Sequence, residues 1–134
     1  MTYGNVGGLP RGFTLVEVLI TTTIVSLLMA IALPLWRDLR ERSYVTTMRA
    51  DVRNLAVIQE SHFYDEGAYT PSLTVLDAMG FQPTQGVQVT IREATRNGWS
   101  ATLSHMATLR QCHLFVGSAA PVGSASASGA IDCG

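Results

Sequence analysis

The feature that most constrains this chain is an apolar block at residues 13–36, which carries a single charge, Glu17. As a helix with a rise of about 1.5 Å per residue, the block reaches about 36 Å, slightly more than the roughly 30 Å hydrocarbon core of a bilayer. The 98 residues that follow are far more polar. This asymmetry excludes a uniformly soluble globule and predicts a membrane-spanning helix at 13–36 followed by a polar head at 37–134.

The charge balance argues against a nucleic-acid-binding protein. All 9 basic residues are arginines, 10 acidic residues oppose them, and the formal net charge is −1. Composition therefore provides no basic field for nucleic acid. Arg92, Arg96 and Arg110 could still form a small basic patch that touches DNA, although a solvated surface is the default interpretation. Binding to nucleic acid is not predicted, but it is not excluded.

Three interpretations compete for the apolar block: an ordinary signal anchor, a cleaved secretory signal and a more specialised segment. Ala30, Ile31 and Ala32 match the small-x-small pattern of a general signal peptidase, which would leave Leu33 as the new terminus. Glu17 inside the apolar region and a weakly charged amino-terminal region argue against that interpretation.

The residues that begin the block favour the specialised interpretation. The sequence from Pro10 to Glu17 reads PRGFTLVE. It resembles the processing site of type IV prepilins and type II secretion pseudopilins, in which a basic residue and glycine precede the cut, phenylalanine begins the mature chain and glutamate follows. The resemblance implies a leader peptide at 1–12, cleavage between Gly12 and Phe13 by prepilin peptidase, and methylation of the new Phe13 amine by the same enzyme.

Glu17 also needs a physical explanation. A charge at the centre of a bilayer costs at least about 2.5 kcal/mol on insertion scales. Cleavage after Gly12 would create a positive amine one helical turn away, so the amine of one subunit could pair with Glu17 of its neighbour in a bundle. The alternative is that Glu17 snorkels to the headgroups and has no role.

Two other residues in the block bear on helix packing. Pro34 removes a backbone hydrogen bond and is predicted to kink the helix; a proline at this position is also common in the family that the chain resembles. Ser26 stands where many pilins have glycine, close to a run of three threonines at 21–23. We expect their hydroxyls to bond back to helix carbonyls, so that the helix persists. How they affect filament packing is left open.

The head is predicted to be α+β. Residues 37–66 continue the helix, because no proline or glycine interrupts them and apolar residues recur at spacings of three and four; Gly67 is the expected stop. A loop at 67–85 includes one helical turn at 73–79. An antiparallel sheet at 86–117 follows, with two alternating strands and a third strand at 113–116. A hairpin at Asn97-Gly98, where both residues accept positive φ, joins the first two strands.

The helix at 37–66 is predicted to have one apolar stripe. The stripe consists of Val45, Met48, Val52, Leu55 and His62 or Phe63, with Arg49, Asp51, Arg53 and Glu60 mostly on other faces.

The carboxyl-terminal stretch from Gly117 to Gly129 consists of glycine, serine, alanine, valine and one proline, and alone would be a flexible tail. Cys112 and Cys133 flank it, so a disulfide could close it into a loop, 112–133, in an oxidising compartment. Type IV pilins similarly close such a loop, whereas most pseudopilins do not. Two unpaired thiols are the alternative. If the bridge forms, its loss is expected to loosen residues 117–129.

No catalytic site, metal site or cofactor is predicted. His62, His105 and His113 are scattered, and a zinc site of Cys112, His113 and Cys133 would lack both a fourth ligand and short ligand repeats. Ser104, His105 and Asp132 match no nucleophile arrangement, and no glycine-rich phosphate loop follows a strand.

The resemblance implies a structural subunit of a type IV pilus, stored as a single-pass inner-membrane protein with its head outside the cytoplasm and then polymerised into an extracellular homopolymer. Implied partners are further copies of the chain, prepilin peptidase, the assembly platform with its ATPase, and membrane lipid. The alternatives are a minor pilin, a type II secretion pseudopilin or a monomeric membrane-anchored binding module. The sequence leaves open whether the fibre serves motility, adhesion, DNA uptake, secretion or electron transfer.

Overall fold

The computed structural model describes residues 12–134. Two helices precede four strands: α1 (Leu15–Glu66), α2 (Leu73–Ala78), β1 (Val87–Ala94), β2 (Gly98–His105), β3 (Gln111–Gly117) and β4 (Asp132–Cys133). The chain divides into two compact units, with the boundary after Asp38. A long amino-terminal helix, a small antiparallel sheet and a carboxyl-terminal disulfide confirm the predicted α+β fold class.

In the first unit, α1 carries the apolar block. Its large apolar side chains, such as Leu27 and Leu28, are exposed. Among the described residues, α1 is the one helix long and apolar enough to cross a membrane by length and composition. The helix runs through Pro34, whose imino nitrogen cannot donate to the carbonyl of Ala30.

The core of the second unit lies between one face of α1 and one face of the sheet. Met48, Val52 and Leu55 are fully buried, as the predicted stripe required. They form one apolar cluster with residues of α2, the sheet and the loop that joins them: Leu76, Phe81, Val87, Trp99, Ala101, Leu103, Cys112 and Leu114. Gly67, with φ of 70°, follows the last residue of α1 and ends it as predicted.

Asp51 departs from the predicted pattern, because it was expected on a polar face and is only 3% exposed. Its two carboxylate oxygens accept hydrogen bonds from Thr84, one from the backbone N–H at 2.9 Å and one from the hydroxyl at 3.0 Å. Asp51 therefore fixes the loop that leads into β1. The partner is 33 residues away, so helical periodicity could not reveal it.

We expect Asp51→Ala to lower the free energy of unfolding of the head by about 1–2 kcal/mol, because it leaves the Thr84 donors without their charged acceptor. Asp51→Asn retains one acceptor oxygen and should lose less. Asp65→Ala, at an exposed position of the same helix, is the control and should change little. Urea unfolding of the detergent-solubilised chain measures the three variants, and equal stability of Asp51→Ala and Asp65→Ala would contradict the assignment.

The sheet has the strand order β1-β2-β3-β4, with every neighbouring pair antiparallel. The two predicted strands and their hairpin are present, and the predicted third strand lies within β3. The fourth strand, β4, was not predicted. The predicted turn chemistry is also wrong, because neither Asn97 nor Gly98 has a positive φ. Residues 95–97 form the connection, and a bulge lies between Ile91 and Glu93.

Gly98 is required by close packing rather than by its φ angle. A Cβ atom there would lie 2.4 Å from the carbonyl oxygen of Val116 and 2.6 Å from the backbone nitrogen of Ala119. The chain leaving β3 therefore passes directly over the start of β2. Only a residue without a side chain allows this approach.

The outer face of the sheet is covered by the segment after β3, residues 118–131. Ser100 and Thr102 of β2 are buried although they point away from the main core. Phe115, Ala119 and Ala125 form a second, small apolar cluster on this side. The segment predicted to be a flexible tail in isolation is thus a packed layer, and β2 is buried on both faces.

Candidate functional site

The start of α1 contains the residues predicted for processing and assembly. Gly12 and Phe13 precede the helix, and the Phe13 side chain is 81% exposed. The backbone N–H of Glu17 donates to the Thr14 hydroxyl at 3.2 Å, and the N–H of Val18 donates to the Thr14 carbonyl at 3.2 Å. Thr14 is therefore the residue that caps the helix. Arg11 and the rest of the proposed leader lie outside the described residues.

The sequence interpretation missed this cap, although the signal was present. Thr14, Leu15, Val16 and Glu17 match the capping-box pattern, in which a threonine is followed three residues later by glutamate. The side chain of Glu17 is exposed. Glu17 thus stands at a helix start where backbone N–H groups are already ordered and where the positive end of the helix dipole favours a carboxylate.

The hydroxyl-bearing residues that follow are satisfied within the helix. Thr21 and Thr22 donate to carbonyls one turn earlier at 2.9 Å, Thr23 donates to the carbonyl of Leu19 at 2.7 Å, and Ser26 donates to that of Thr22 at 2.7 Å. The expectation that these hydroxyls bond back to the helix is confirmed. The hydroxyl donors of these four side chains are therefore satisfied within the helix, as an apolar environment would require.

The carboxyl-terminal loop is closed by a disulfide between Cys112 of β3 and Cys133 of β4. The two residues face each other in the antiparallel pairing, with their Cα atoms 4.1 Å apart. Next to the disulfide, Gln111 and Gly134 lie opposite each other, and their backbones exchange hydrogen bonds at 2.9 and 3.1 Å. The predicted pairing is confirmed, and the alternative of two free thiols is wrong.

The disulfide also removes the zinc alternative, because neither Cys112 nor Cys133 has a thiolate to offer. His113, the remaining member of that set, shares a hydrogen bond of 3.1 Å between its Nδ1 atom and the Thr102 hydroxyl. Within residues 12–134, no three histidine, cysteine or acidic side chains are grouped so that they could hold a metal ion.

The proposed basic patch is not assembled. Arg96 lies in the turn between β1 and β2, whereas Arg110 lies in the turn between β2 and β3, at the opposite end of the sheet. Arg110 is also paired with Glu41, with 2.9 Å between Nε and Oε1. Arg92 lies on β1 between these ends. The three arginines therefore do not present one surface to DNA.

His113 gives the head a dependence on pH. His113 is buried, with 8% of the residue exposed, and its ring lies against Gly123, where an added Cβ would be 2.3 Å from Nε2. Burial lowers the pKa of the His113 imidazole below its ordinary value of 6.5; the nearby Asp132 carboxylate opposes this shift and Arg92 reinforces it. The neutral ring is therefore the form that the fold favours.

We expect the head to lose stability as the pH falls below about 6.5, because the unfolded chain then takes up a proton that folded His113 resists. Above that pH both states are neutral and the full stability is present. In the His113→Asn variant, the free energy of unfolding should vary less with pH between about pH 5 and 7. Urea unfolding at several pH values measures this, and titration of the ring protons by NMR in folded and urea-unfolded chain provides the independent control. A folded-state pKa at or above the unfolded one would contradict the prediction.

Comparison with known proteins supports the fold and the motif. A family model described as the prokaryotic N-terminal methylation motif matches residues 10–33. The chain is 29% identical to the type IV wide pilus major component PilA4 of Thermus thermophilus, over 71% of this chain and 73% of that protein. It is 32% identical to the type IV major pilin protein PilA of Myxococcus xanthus, over 57% of this chain but only 33% of that protein. Together, the methylation motif, the long helix with its small closed head and the two pilin relatives show that the chain is similar to type IV pilins and support that family for it.

Proposed function

We propose that this chain is the precursor of a structural subunit of a type IV pilus, stored in the inner membrane with its head outside the cytoplasm and polymerised through the first half of α1. The observation that carries the proposal is the exposed apolar surface of the first unit, where side chains such as Leu15, Ile31 and Leu35 are all more than half exposed. In water, such a surface must be covered either by lipid or by other helices. A membrane provides the lipid, and a filament core provides the neighbouring helices.

During assembly, the apolar surface of α1 would move from contact with lipid to contact with neighbouring helices. Neighbouring copies of α1 would replace lipid around the apolar helix, and each large side chain buried in this way contributes about 1.5–3 kcal/mol relative to exposure in water. Each subunit contacts the next in a head-to-tail manner, so that a filament rather than a closed ring is formed. Extraction from lipid requires work, which the assembly platform and its ATPase would supply. The role is structural rather than catalytic.

The disulfide favours a pilin over a pseudopilin, and the two named relatives, both described as major components of pili, point in the same direction. A minor pilin remains the alternative within the family, and a monomeric anchored module is the alternative outside it.

Purification of sheared surface fibres, followed by identification of their main protein, tests the proposal. The chain should dominate the fibres. Its absence from them, with the protein present in the membrane, would favour the anchored module.

We further propose that prepilin peptidase cuts between Gly12 and Phe13 and methylates the Phe13 amine. Gly12→Val should reduce the mature protein by at least about tenfold, since a branched side chain prevents close approach of the peptidase to the backbone. Nothing lies within 4 Å of a Cβ placed at Gly12, so the substitution does not clash within the chain itself. Gly12→Ala is the matched control and should be cleaved better than Gly12→Val.

Mass spectrometry of the mature protein measures this processing. The expected product lacks residues 1–12 and has one extra methyl group on Phe13. A product that begins at Leu33 would instead establish cleavage by a general signal peptidase. That result would overturn storage and assembly through α1 together.

A further inference from the structure

A surface groove on the second unit combines an apolar floor with two cations. It lies where α1 passes β3 and the chain that enters β4, and it has a volume of about 470 Å³. Arg49 and Arg53 line it together with four apolar residues: Ala56, Val57, Leu114 and Ile131. Among the residues that the structure describes, no acidic side chain lines it. The groove therefore has the chemistry to receive an anionic group that is joined to an apolar one.

The positive charge of this groove is not compensated by its surroundings. Arg49 and Arg53 are one helical turn apart on α1, so the two guanidinium groups lie on one side of the helix and repel each other. The Nε atom of Arg49 lies 3.4 Å from Sγ of Cys133, an uncharged disulfide sulfur. Within residues 12–134, neither arginine forms a salt bridge. Both side chains are exposed, and an acidic partner could reach them.

The complementary surface is at the carboxyl-terminal end of α1, where Tyr64, Asp65 and Glu66 form an acidic tip. Tyr64 is 90% exposed, and both acidic residues are exposed. The last turn of the helix contains no basic residue, and the negative end of the helix dipole disfavours carboxylates at this position. In the described part of the chain, neither carboxylate forms a salt bridge. A cationic partner would therefore relieve an unfavourable concentration of negative charge.

The acidic tip is ordered although it is exposed. The N–H of Gly67 donates to the carbonyl of Phe63 at 2.8 Å, which closes the last turn of α1. The Phe63 ring in turn stacks on Tyr69, with 4.8 Å between the ring centroids. Binding through the tip would therefore require little further ordering of its backbone.

One copy of the chain cannot place its own acidic tip in its own groove. Arg53 and Asp65 belong to the same uninterrupted helix. They are twelve residues apart, which at helical rise is about 18 Å, far beyond the roughly 4 Å between the charged atoms of a salt bridge. The acidic residues that complement the groove must therefore come from another molecule, and a second copy of the chain provides them.

We propose that the groove receives the acidic tip of a second copy of this chain. The carboxylates of Asp65 and Glu66 would pair with Arg49 and Arg53, and the Tyr64 ring would pack on the apolar floor. The inference rests on the proposed function, because exposed charge pairs are individually weak. Inside a filament, the other contacts between subunits hold the two surfaces at a high effective concentration.

The contact is directional. The groove and the acidic tip are different surfaces of one head, so each bound pair leaves one groove and one tip free for further copies. Such an interface is head-to-tail and extends into an open chain rather than closing on itself. It would give the heads a specific register along the fibre, in addition to the contacts between the apolar helices.

Crosslinking in fibres tests which surface occupies the groove. The full chain is expressed with the photoreactive residue p-benzoylphenylalanine in place of Val57, which is 67% exposed at the groove. Sheared fibres are irradiated, and mass spectrometry of the covalent dimers locates the new bond. We expect the bond to join position 57 of one copy to residues 64–66 of another. The same probe at Arg96, in the exposed turn between β1 and β2, is the control and should not reach residues 64–66.

Charge reversal tests the pairing. Arg49→Glu with Arg53→Glu should lower the yield of this dimer by at least about fivefold, because attraction becomes repulsion, and Asp65→Arg with Glu66→Arg should do the same. Combining all four substitutions restores opposite charges and should recover at least about half of the yield. Arg96→Glu changes one charge elsewhere on the head and is the matched control. The urea midpoint of each variant checks that its head is folded.

Fibres of the unaltered chain in which the probe at 57 bonds only to other surfaces would overturn this contact and leave the proposed function standing. Failure of the combined variant to recover the dimer, with its head folded, would overturn the charge pairing. If the unaltered chain forms no fibres, both the proposed function and the contact that rests on it are overturned.

Discussion

Glu17→Ala is expected to reduce the number of fibres by at least about tenfold while membrane insertion, processing and head folding stay unchanged. We propose that the Glu17 carboxylate pairs with the Phe13 amine of the neighbouring subunit. A charge-assisted hydrogen bond contributes about 1.5–3 kcal/mol, which corresponds to a factor of about 10 to 150 at each subunit addition. Removing the carboxylate makes the helix more apolar, so insertion should not suffer.

The cap on α1 sharpens this test. The hydrogen bond to Thr14 comes from the backbone N–H of Glu17, so alanine at position 17 can still make it. Glu17→Gln keeps the size and the capping-box pattern but deletes the charge. An equal loss in both variants assigns the effect to charge, and a milder loss in the glutamine variant assigns part of it to hydrogen bonding. Thr14→Ala removes the cap with Glu17 intact and is the matched control.

Fibres are counted by electron microscopy with equal membrane levels of subunit. Coexpression with the unaltered chain should allow partial incorporation, because each subunit offers one amine and one carboxylate. A normal fibre count from Glu17→Ala would remove the pairing and restore the interpretation that Glu17 merely snorkels to the headgroups. Loss of fibres from Thr14→Ala alone would show that an ordered helix start, rather than the charge pair, limits assembly.

Replacement of both cysteines, Cys112→Ala with Cys133→Ala, is expected to lower the free energy of unfolding of the head by about 3 kcal/mol. The loop between them contains 20 residues, and in the chain-entropy model closing a loop of about this size restricts the unfolded chain by that amount. Alanine at both positions avoids leaving a lone reactive thiol. Urea unfolding measures the difference, and the unaltered chain in reductant should show a similar loss.

The structure changes where loosening should begin after the bridge is lost. The sequence prediction placed it at residues 117–129, but this segment has other attachments. The N–H of Gly117 donates to the Ser128 hydroxyl at 3.0 Å, and the N–H of Gly129 donates to the carbonyl of Phe115 at 2.8 Å. The N–H of Ala120 donates to the Glu93 carboxylate at 3.1 Å. We therefore expect the short strand β4 and the chain end to loosen first.

Hydrogen exchange with and without reductant locates this loosening, and fibre yield reports its consequence. Ser128→Ala with the bridge intact is the matched control for the other attachments. Free thiols that can be alkylated in exported protein would contradict the bridge itself. If reduction leaves the unfolding midpoint unchanged, the remaining hydrogen bonds and the apolar contacts of Phe115 are sufficient to hold the folded head without the disulfide.

The sequence alone determined the features that depend on composition and local spacing. The apolar block with its single charge, the buried stripe through Met48 and Leu55, and the stop at Gly67 each follow from neighbours along the chain. Periodicity reports such features directly, because the same few dihedral angles repeat along a helix or strand. The methylation motif is equally local. So is the Thr14 cap, because its capping-box pattern lies within four consecutive residues.

Only the tertiary structure decided which polar groups became interior and what covered the outer face of the sheet. Asp51 is buried because Thr84 meets it from 33 residues away, and Gln59 is buried because its side chain pairs with the backbone of Thr70. The segment after β3 carries no periodic signal, yet it packs because Gly98 lets the backbone cross and Gly123 makes room for the His113 ring. A buried polar group or a close backbone crossing depends on a partner that is distant in sequence, and no local pattern can specify that partner.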